Sequence, residues 1–320
     1  MKTIQMCDIK GIHVGQAQDV QGGTGCSVIV CKDGAVAGVD VRGGGPATRE
    51  TDLLNPVNMV QEIHGVILSG GSAFGLDAAS GVMQYLEEHK CGFDMKVAYI
   101  PIVCGASLFD LSVGDPMCRP DKEMGYQACV ASECNEIQEG NYGAGTGASV
   151  GKLLGFDQAM KSGQGMYGLQ CGNIQVAALV AVNACGNVVD YKTNEVMAGI
   201  YDKEHKRIVS AQEILYAAMD QVQEATCANT TIGCIVTNAK LNKAQCSKIA
   251  SIAHNAYARA IHPVHTMSDG DTIFVLSTQE VEANVDAIGV MAVDIMAEAI
   301  NRAVKHTKSA YGLPAYEDIK

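Results

Sequence analysis

The chain has 320 residues, 48% of them apolar, with 35 glycines and 7 prolines, which excludes a collagenous or disordered chain and supplies apolar mass for a sizeable core. Lys+Arg 23 against Asp+Glu 35 leaves a formal net charge of −12, which argues against nucleic acid or an anionic membrane as the partner and favours a neutral or cationic small substrate. The 13 cysteines form no CxxC pair, and an odd count cannot close entirely within one chain, so reduced, mostly buried thiols are expected.

From the N-terminus, Met1-Lys2-Thr3-Ile4 reads as no charged-then-apolar leader, and the longest apolar stretch, Val176–Val182, is too short to span a bilayer. A cytoplasmic protein is the expectation. Cys26–Cys31 and Ala35–Val41 flank Asp33-Gly34, the dipeptide of a two-residue turn, and predict a hairpin. Gly65–Leu68 reads as a strand that passes through Ser69-Gly70-Gly71-Ser72 into a helix over 73–89, where Leu76, Ala79, Val82 and Leu86 recur at helical spacing. Val97–Val103 suggests a further buried strand. Gly165–Gln170 and Ile174–Val182 suggest a hairpin whose second arm is too apolar to face water. Ala211–Gln223 reads as a helix and Glu224–Ala228 as a loop. Beyond Thr231 the pattern is strand (Ile232–Thr237), helix (Asn242–Ala260), strand (Thr272–Leu276) and helix (Val281–Lys305), the last with Val285, Ile288, Ala292, Ile295 and Ala299 on one face. No Pro/Ser-rich linker divides the chain, so a single α/β domain over 1–320 is expected.

Three motifs invite chemistry that their spacing does not support. Gly143–Lys152 resembles a phosphate-binding loop, but it has five residues between Gly145 and Gly151, and Leu153 stands where a Ser or Thr should hold magnesium. A turn that delivers Lys152 is the better reading. Gly70-Gly71-Ser72-Ala73-Phe74 lacks the glycine two residues after the serine that a nucleophile elbow needs. His262 and His265 lie near Asp269 and Asp271, yet Pro263 would break a ligand-bearing helix, so structural histidines and a solvated Asp-Gly-Asp turn are favoured over a metal site.

Asn229-Thr230-Thr231 opens a β-branched strand directly after a loop. A hydroxyl there could attack the preceding carbonyl if the chain were held in a tight turn, and the same tripeptide is also an ordinary strand start. Spacing alone leaves both open.

The whole set of motifs, however, resembles the DmpA-type self-processing N-terminal nucleophile hydrolases, the S58 peptidases. The likeness rests on Gly38–Gly44 with Thr48–Asp52, Ser69–Asp77, Gly143–Lys152, Asn229-Thr230-Thr231, and Pro263–Thr266 with Asp269–Thr272, in that order. What the resemblance implies is a four-layer αββα sandwich, cut between Asn229 and Thr230 into a 1–229 α chain and a 230–320 β chain that stay associated, with αβ units forming a homo-oligomer. Thr230 matches the nucleophile, and its freed amine, with a reference pKa of ~7.7–8.0, would act as general base. Lys152 matches a lysine beside the nucleophile that would depress the pKa of that amine. Asn183 matches the asparagine whose amide would stabilise the oxyanion. Asp269 and Asp271 match the pair that orients nucleophile and amine, and Asp-Gly-Asp resembles the nylon-oligomer hydrolase branch more than the aminopeptidases. Tyr126 matches a substrate-lining tyrosine. The implied activity is hydrolysis of small peptides or amides through an acyl-enzyme, without metal or cofactor. The alternatives are acyl transfer of the ornithine acetyltransferase type and an unprocessed binding protein.

Overall fold

The computed structural model describes residues 1–220 and 229–320. Its organising element is a strand of 18 residues, Thr24–Val41 (β2), which follows Ile12–Asp19 (β1) and passes from one half of a ten-stranded sheet into the other. The expected hairpin at Asp33-Gly34 is therefore corrected. Gly34 does adopt positive φ (85°), but the register with the neighbouring strand shifts between Val30 and Ala35, and the chain runs on as a bulged strand instead of reversing. Apolar residues on both sides of the bulge have a core to enter, which a solvent-exposed turn would deny them.

The remaining strands are Glu62–Ser69 (β3), Val103–Ser107 (β4), Gln164–Cys171 (β5), Ile174–Asn183 (β6), Thr230–Ala239 (β7) and Thr272–Val281 (β8). They hydrogen-bond in the order β5-β6-β7-β8-β2-β3-β4, with β1 also on β2 and short edge strands at Lys2–Thr3 and Ala47–Arg49. The β7–β8 and β3–β4 pairs are parallel and the others antiparallel. The expected strand over Val97–Val103 gives way to β4, because Val97 is exposed and belongs to a short ribbon between Phe93–Asp94 and Tyr99–Ile100.

Three apolar layers separate four layers of structure. Val176, Val180, Val182, Ile235, Ile273 and Val275 pack under helices Lys243–Ala260 (α4) and Val285–Lys305 (α5). Ala177, Leu179, Ile232, Val236 and Phe274 meet Val14, Ile29, Val66 and Leu68 between the two halves of the sheet. Val28, Val30 and Ile67 pack under Ala78–Glu88 (α1) and Lys122–Ala131 (α2). This is the αββα sandwich. It explains why β6 carries no polar face: odd and even residues both enter apolar layers, each large aliphatic contributing roughly 1.5–3 kcal/mol on burial. Helix α4 begins at a capping box of Asn242 and Gln245, and α5 at Asn284, which accepts from the amides of Asp286 and Ala287. Val281, read from periodicity as the first residue of the last helix, ends β8 instead, since the cap at Asn284 sets the helix start. A short helix, Ala211–Ala217 (α3), occupies the start of the expected 211–223 segment, and the expected loop at 224–228 lies outside the described residues. No described helix is long and apolar enough to cross a membrane.

Candidate active site

Strand β7 begins at Thr230, opposite Asn183, the last residue of β6. Because side chains alternate along a strand, both point to the inter-sheet side, the face of Ala181 and Ile232. The β7–β8 pairing continues one step further, where Asn229 bridges Asp269 in parallel. There the Asn229 amide donates to Ser268 O (3.0 Å), and the Gly270 amide donates to Asn229 O (2.8 Å). The Thr230 hydroxyl donates to that same carbonyl oxygen. One carbonyl thus carries a fixed backbone donor and the hydroxyl of the next residue. The absence of a side chain at position 270 is needed here, since a Cβ would lie 2.8 Å from Thr230 Oγ1.

Around this bond the side chains are buried: Asn229 is 1% exposed, Thr230 4%, Lys152 6% and Asn183 0%. Lys152 Nζ donates to Asn183 Oδ1 (2.7 Å), Asn183 O (2.9 Å) and Ser149 O (3.0 Å). Asn183 Oδ1 also accepts from the Ser149 amide (3.0 Å), while its Nδ2 donates to Phe109 O (2.9 Å). Two donors on one side and a carbonyl on the other fix the amide's orientation, leaving one Nδ2 hydrogen beyond the bond to Phe109.

The two aspartates take different work. Asp271 Oδ1 accepts from the Thr231 amide (2.8 Å), and Oδ2 from the amide (3.1 Å) and Nδ1 (2.8 Å) of His265. Asp269 Oδ2 accepts from the amide (2.8 Å) and hydroxyl (2.6 Å) of Thr266. Burial, then the neighbouring charge of Asp271, pushes the Asp269 carboxyl above its ordinary range. Thr230, Asn183, Lys152, Asp269 and Asp271 therefore gather at one end of the sheet. Tyr126 does not join them. It sits on α2 in the outer layer, its hydroxyl donating to Glu88 (2.7 Å) and its ring edge-on to Tyr85, with no described contact to the Thr230 cluster.

Sequence reasoning passed over several neighbours of this cluster. Lys161, fully buried, donates to the carbonyls of Gly145 (3.0 Å) and Ala148 (2.9 Å), and to that of Ser162. Burial pulls it down to about 7, opposed by Asp110 and reinforced by Lys152. Asp110, pushed up to about 6 by burial, accepts from the Gly71 amide (2.7 Å) and Thr24 hydroxyl (2.7 Å). No periodicity marks either residue, and Lys161 itself lies in a two-residue strand, Met160–Lys161, too short to show a pattern. The segment 143–152 runs into the two-residue strand Ser149–Val150 and not into a helix, so the phosphate-loop geometry is absent.

A model of "Peptidase family S58" matches residues 5–315. An uncharacterized aminopeptidase of Mycobacterium leprae is 40% identical over 97% of this chain and 92% of its own length. The 6-aminohexanoate-oligomer endohydrolase of Paenarthrobacter ureafaciens is 31% identical over 93% and 85%. Among solved structures, the L-aminopeptidase D-Ala-esterase/amidase of Ochrobactrum anthropi, described as a variant of the Ntn hydrolase fold, superposes with a TM-score of 0.69 at 17% identity, covering 95% of this chain and 86% of that one.

Proposed function

This chain belongs to peptidase family S58 and is a hydrolase of peptide or amide bonds, and on that premise we propose that Thr230 is both the site of self-cleavage and the nucleophile of the mature enzyme. The observation that carries the proposal is the Asn229 carbonyl, held by the Gly270 amide with the Thr230 hydroxyl against it. In maturation, Thr230 Oγ1 bonds to the Asn229 carbonyl carbon as its proton leaves, and the Gly270 N–H stabilises the oxyanion. Collapse breaks the C–N bond and the proton passes to the Thr230 nitrogen, leaving an ester. Water then hydrolyses the ester to a free Asn229 carboxylate and a Thr230 bearing a free amine.

In turnover that amine, in its unprotonated form, takes the hydroxyl proton while Oγ1 attacks the substrate carbonyl. The proton goes on to the leaving amine, and water releases the acyl group. Lys152 lies one hydrogen bond from Asn183, the cross-strand partner of Thr230, so its charge favours the neutral amine. The remaining Nδ2 hydrogen of Asn183 is the side-chain donor for the substrate oxyanion. Small linear amides are the substrate class: one relative acts on 6-aminohexanoate oligomers, and the net charge of −12 suits substrates with a free amine.

Denaturing mass spectrometry tests the proposal. Wild-type protein should resolve into residues 1–229 and 230–320, and Thr230→Ala should stay folded and uncut. A Thr230→Ala variant that is cut as fast as wild type would move the nucleophile elsewhere.

A further inference from the structure

Among the described residues around the Thr230 cluster, His265 alone bonds an aspartate of the cluster through a side-chain ring. Its amide and its Nδ1 converge on one oxygen of Asp271, at 3.1 and 2.8 Å, while the other oxygen of Asp271 takes the Thr231 amide at 2.8 Å. A carboxylate with a single donor can swing about its bond to Cβ. One gripped on both oxygens, and twice on one of them, cannot. Asp271 is 1% exposed, so these donors replace the water its charge would otherwise bind.

The imidazole is itself confined. Two fully buried residues of α4 enclose it: His254 lies edge-on with ring centroids 4.8 Å apart, and Tyr257 stacks at 6.0 Å. His254 spends its Nε2–H on Asp40 O (3.0 Å), and burial pulls that ring down to about 4, so it faces His265 as a neutral imidazole. Tyr257 is held above its ordinary range by burial and by Asp271, and faces it as a neutral phenol. Among the described residues, the charged groups acting on this pocket besides Asp271 are Asp269, on the same loop, and Asp40 and Arg42, beside His254. With Nδ1–H committed to Asp271, His265 Nε2 finds no hydrogen-bond partner among the described residues.

We infer that His265 is a positioning residue: it holds the Asp271 carboxylate fixed, and through the Thr231 amide sets where the strand places Thr230. This inference rests on the nucleophile reading given above. The path runs from α4 through the His265 ring, the Asp271 carboxylate and the Thr231 N–H to the residue beside the nucleophile. It assigns a role in the reaction to a histidine that spacing had left structural, and it makes the outer helix layer part of the support of the site.

Self-cleavage provides an assay that needs no substrate. Precursor of wild type and of His265→Ala, His265→Asn and His265→Gln is refolded or freshly purified, and maturation is timed by denaturing mass spectrometry from pH 4 to 9, with unfolding curves for each. Asparagine can present an N–H near the Nδ1 position, whereas glutamine places its amide nearer Nε2. The expected result is maturation slowed by roughly tenfold to a hundredfold in the Ala and Gln variants, the size of a misplaced reacting group. His265→Asn should recover to within about threefold of wild type, consistent with a retained hydrogen bond.

The inference is overturned if folded His265→Ala matures at the wild-type rate. It is equally overturned if Asn and Gln mature alike, since packing and not the Nδ1 donor would then be responsible. A wild type that never matures at any pH would instead remove the nucleophile reading itself, a different failure from either of these.

Discussion

Replacing Gly270 with alanine adds one methyl group at the point where the Asn229 carbonyl and the Thr230 hydroxyl meet. Built on the existing backbone, that Cβ would stand 2.8 Å from Thr230 Oγ1, 3.0 Å from Gly45 O and 3.2 Å from Thr230 Cγ2. Heavy atoms at rest sit about 3.5–4.0 Å apart, so relief requires a displacement of roughly half to one ångström. Gly270 is not at positive φ, so the backbone accepts alanine and the contact itself is the cost. Overpacking of this kind destabilises by about 1–3 kcal/mol, which a domain of this size survives. Displacing a nucleophile by about an ångström costs about a hundredfold in rate. Gly270→Ala should therefore fold, unfold at a modestly lower temperature and mature ten- to a hundredfold more slowly, as timed by the appearance of the 230–320 chain in denaturing mass spectrometry. Combining it with Thr230→Ser removes the Cγ2 contact and should recover part of the loss relative to Thr230→Ser alone. Maturation of Gly270→Ala at the wild-type rate would refute the placement of Thr230 Oγ1 on which this reasoning depends. A double variant with no recovery would leave the cost with the contacts to the residue 230 hydroxyl and the Gly45 carbonyl.

Two further outcomes follow from the buried groups. Asn183→Asp keeps the acceptor for Lys152 and Ser149 but sets an oxygen against Phe109 O and removes the amide donor. Turnover of a chromogenic amide by matured, folded protein should fall by roughly 10²–10³, and an unchanged rate would make Asn183 purely structural. Lys161, at about 7 in the fold against an ordinary 10.5, gives up its proton more readily there than in the unfolded chain. Its contribution to stability is complete above 10.5 and is lost as pH falls through about 7. The difference in unfolding temperature between wild type and Lys161→Met should therefore move in favour of wild type between pH 7 and 10.5, and a difference flat across that window would mean a lysine charged throughout.

The parts of the fold that could be read from the sequence are those where one residue pattern had one physical solution. The apolar run of β6 had to be covered on both faces, and the period of α5 left little choice over its body, while its start at the Asn284 cap was not read from that period. Asp33-Gly34 failed because a turn dipeptide is also a bulge dipeptide, and only the partner strand, distant in sequence, decides between them. At the site, Thr230, Asn183, Lys152 and the two aspartates were recognised through a resemblance, since no spacing relates position 152 to position 183. The carboxylates in Asp269-Gly270-Asp271 attracted attention, while the glycine between them, whose amide reaches the Asn229 carbonyl, carried no side chain to notice. Lys161 and Asp110 escaped for a related reason: their acceptors and donors are mostly backbone groups, which every sequence contains.

Parity along β8 links these observations. Ile273 and Val275 face α4 and α5, so Asp271 lies on the helix side, where His265, His254 and Tyr257 wait for it. Phe274 faces the other sheet, so Gly270 lies on that side, against Thr230. The site thus draws on both faces of one sheet, which is possible only where the strands end and the layers above and below them open. Within the tripeptide the order cannot be exchanged: a side chain at 270 would crowd the Thr230 hydroxyl, and a glycine at 271 would leave the Thr231 amide and the His265 ring without their common acceptor. Because a shift of one residue turns every side chain to the opposite face, the register of Gly270 against Asn229 is also what points Asp271 at α4. Positioning of the hydroxyl and support of the strand that carries it are set by the same pairing.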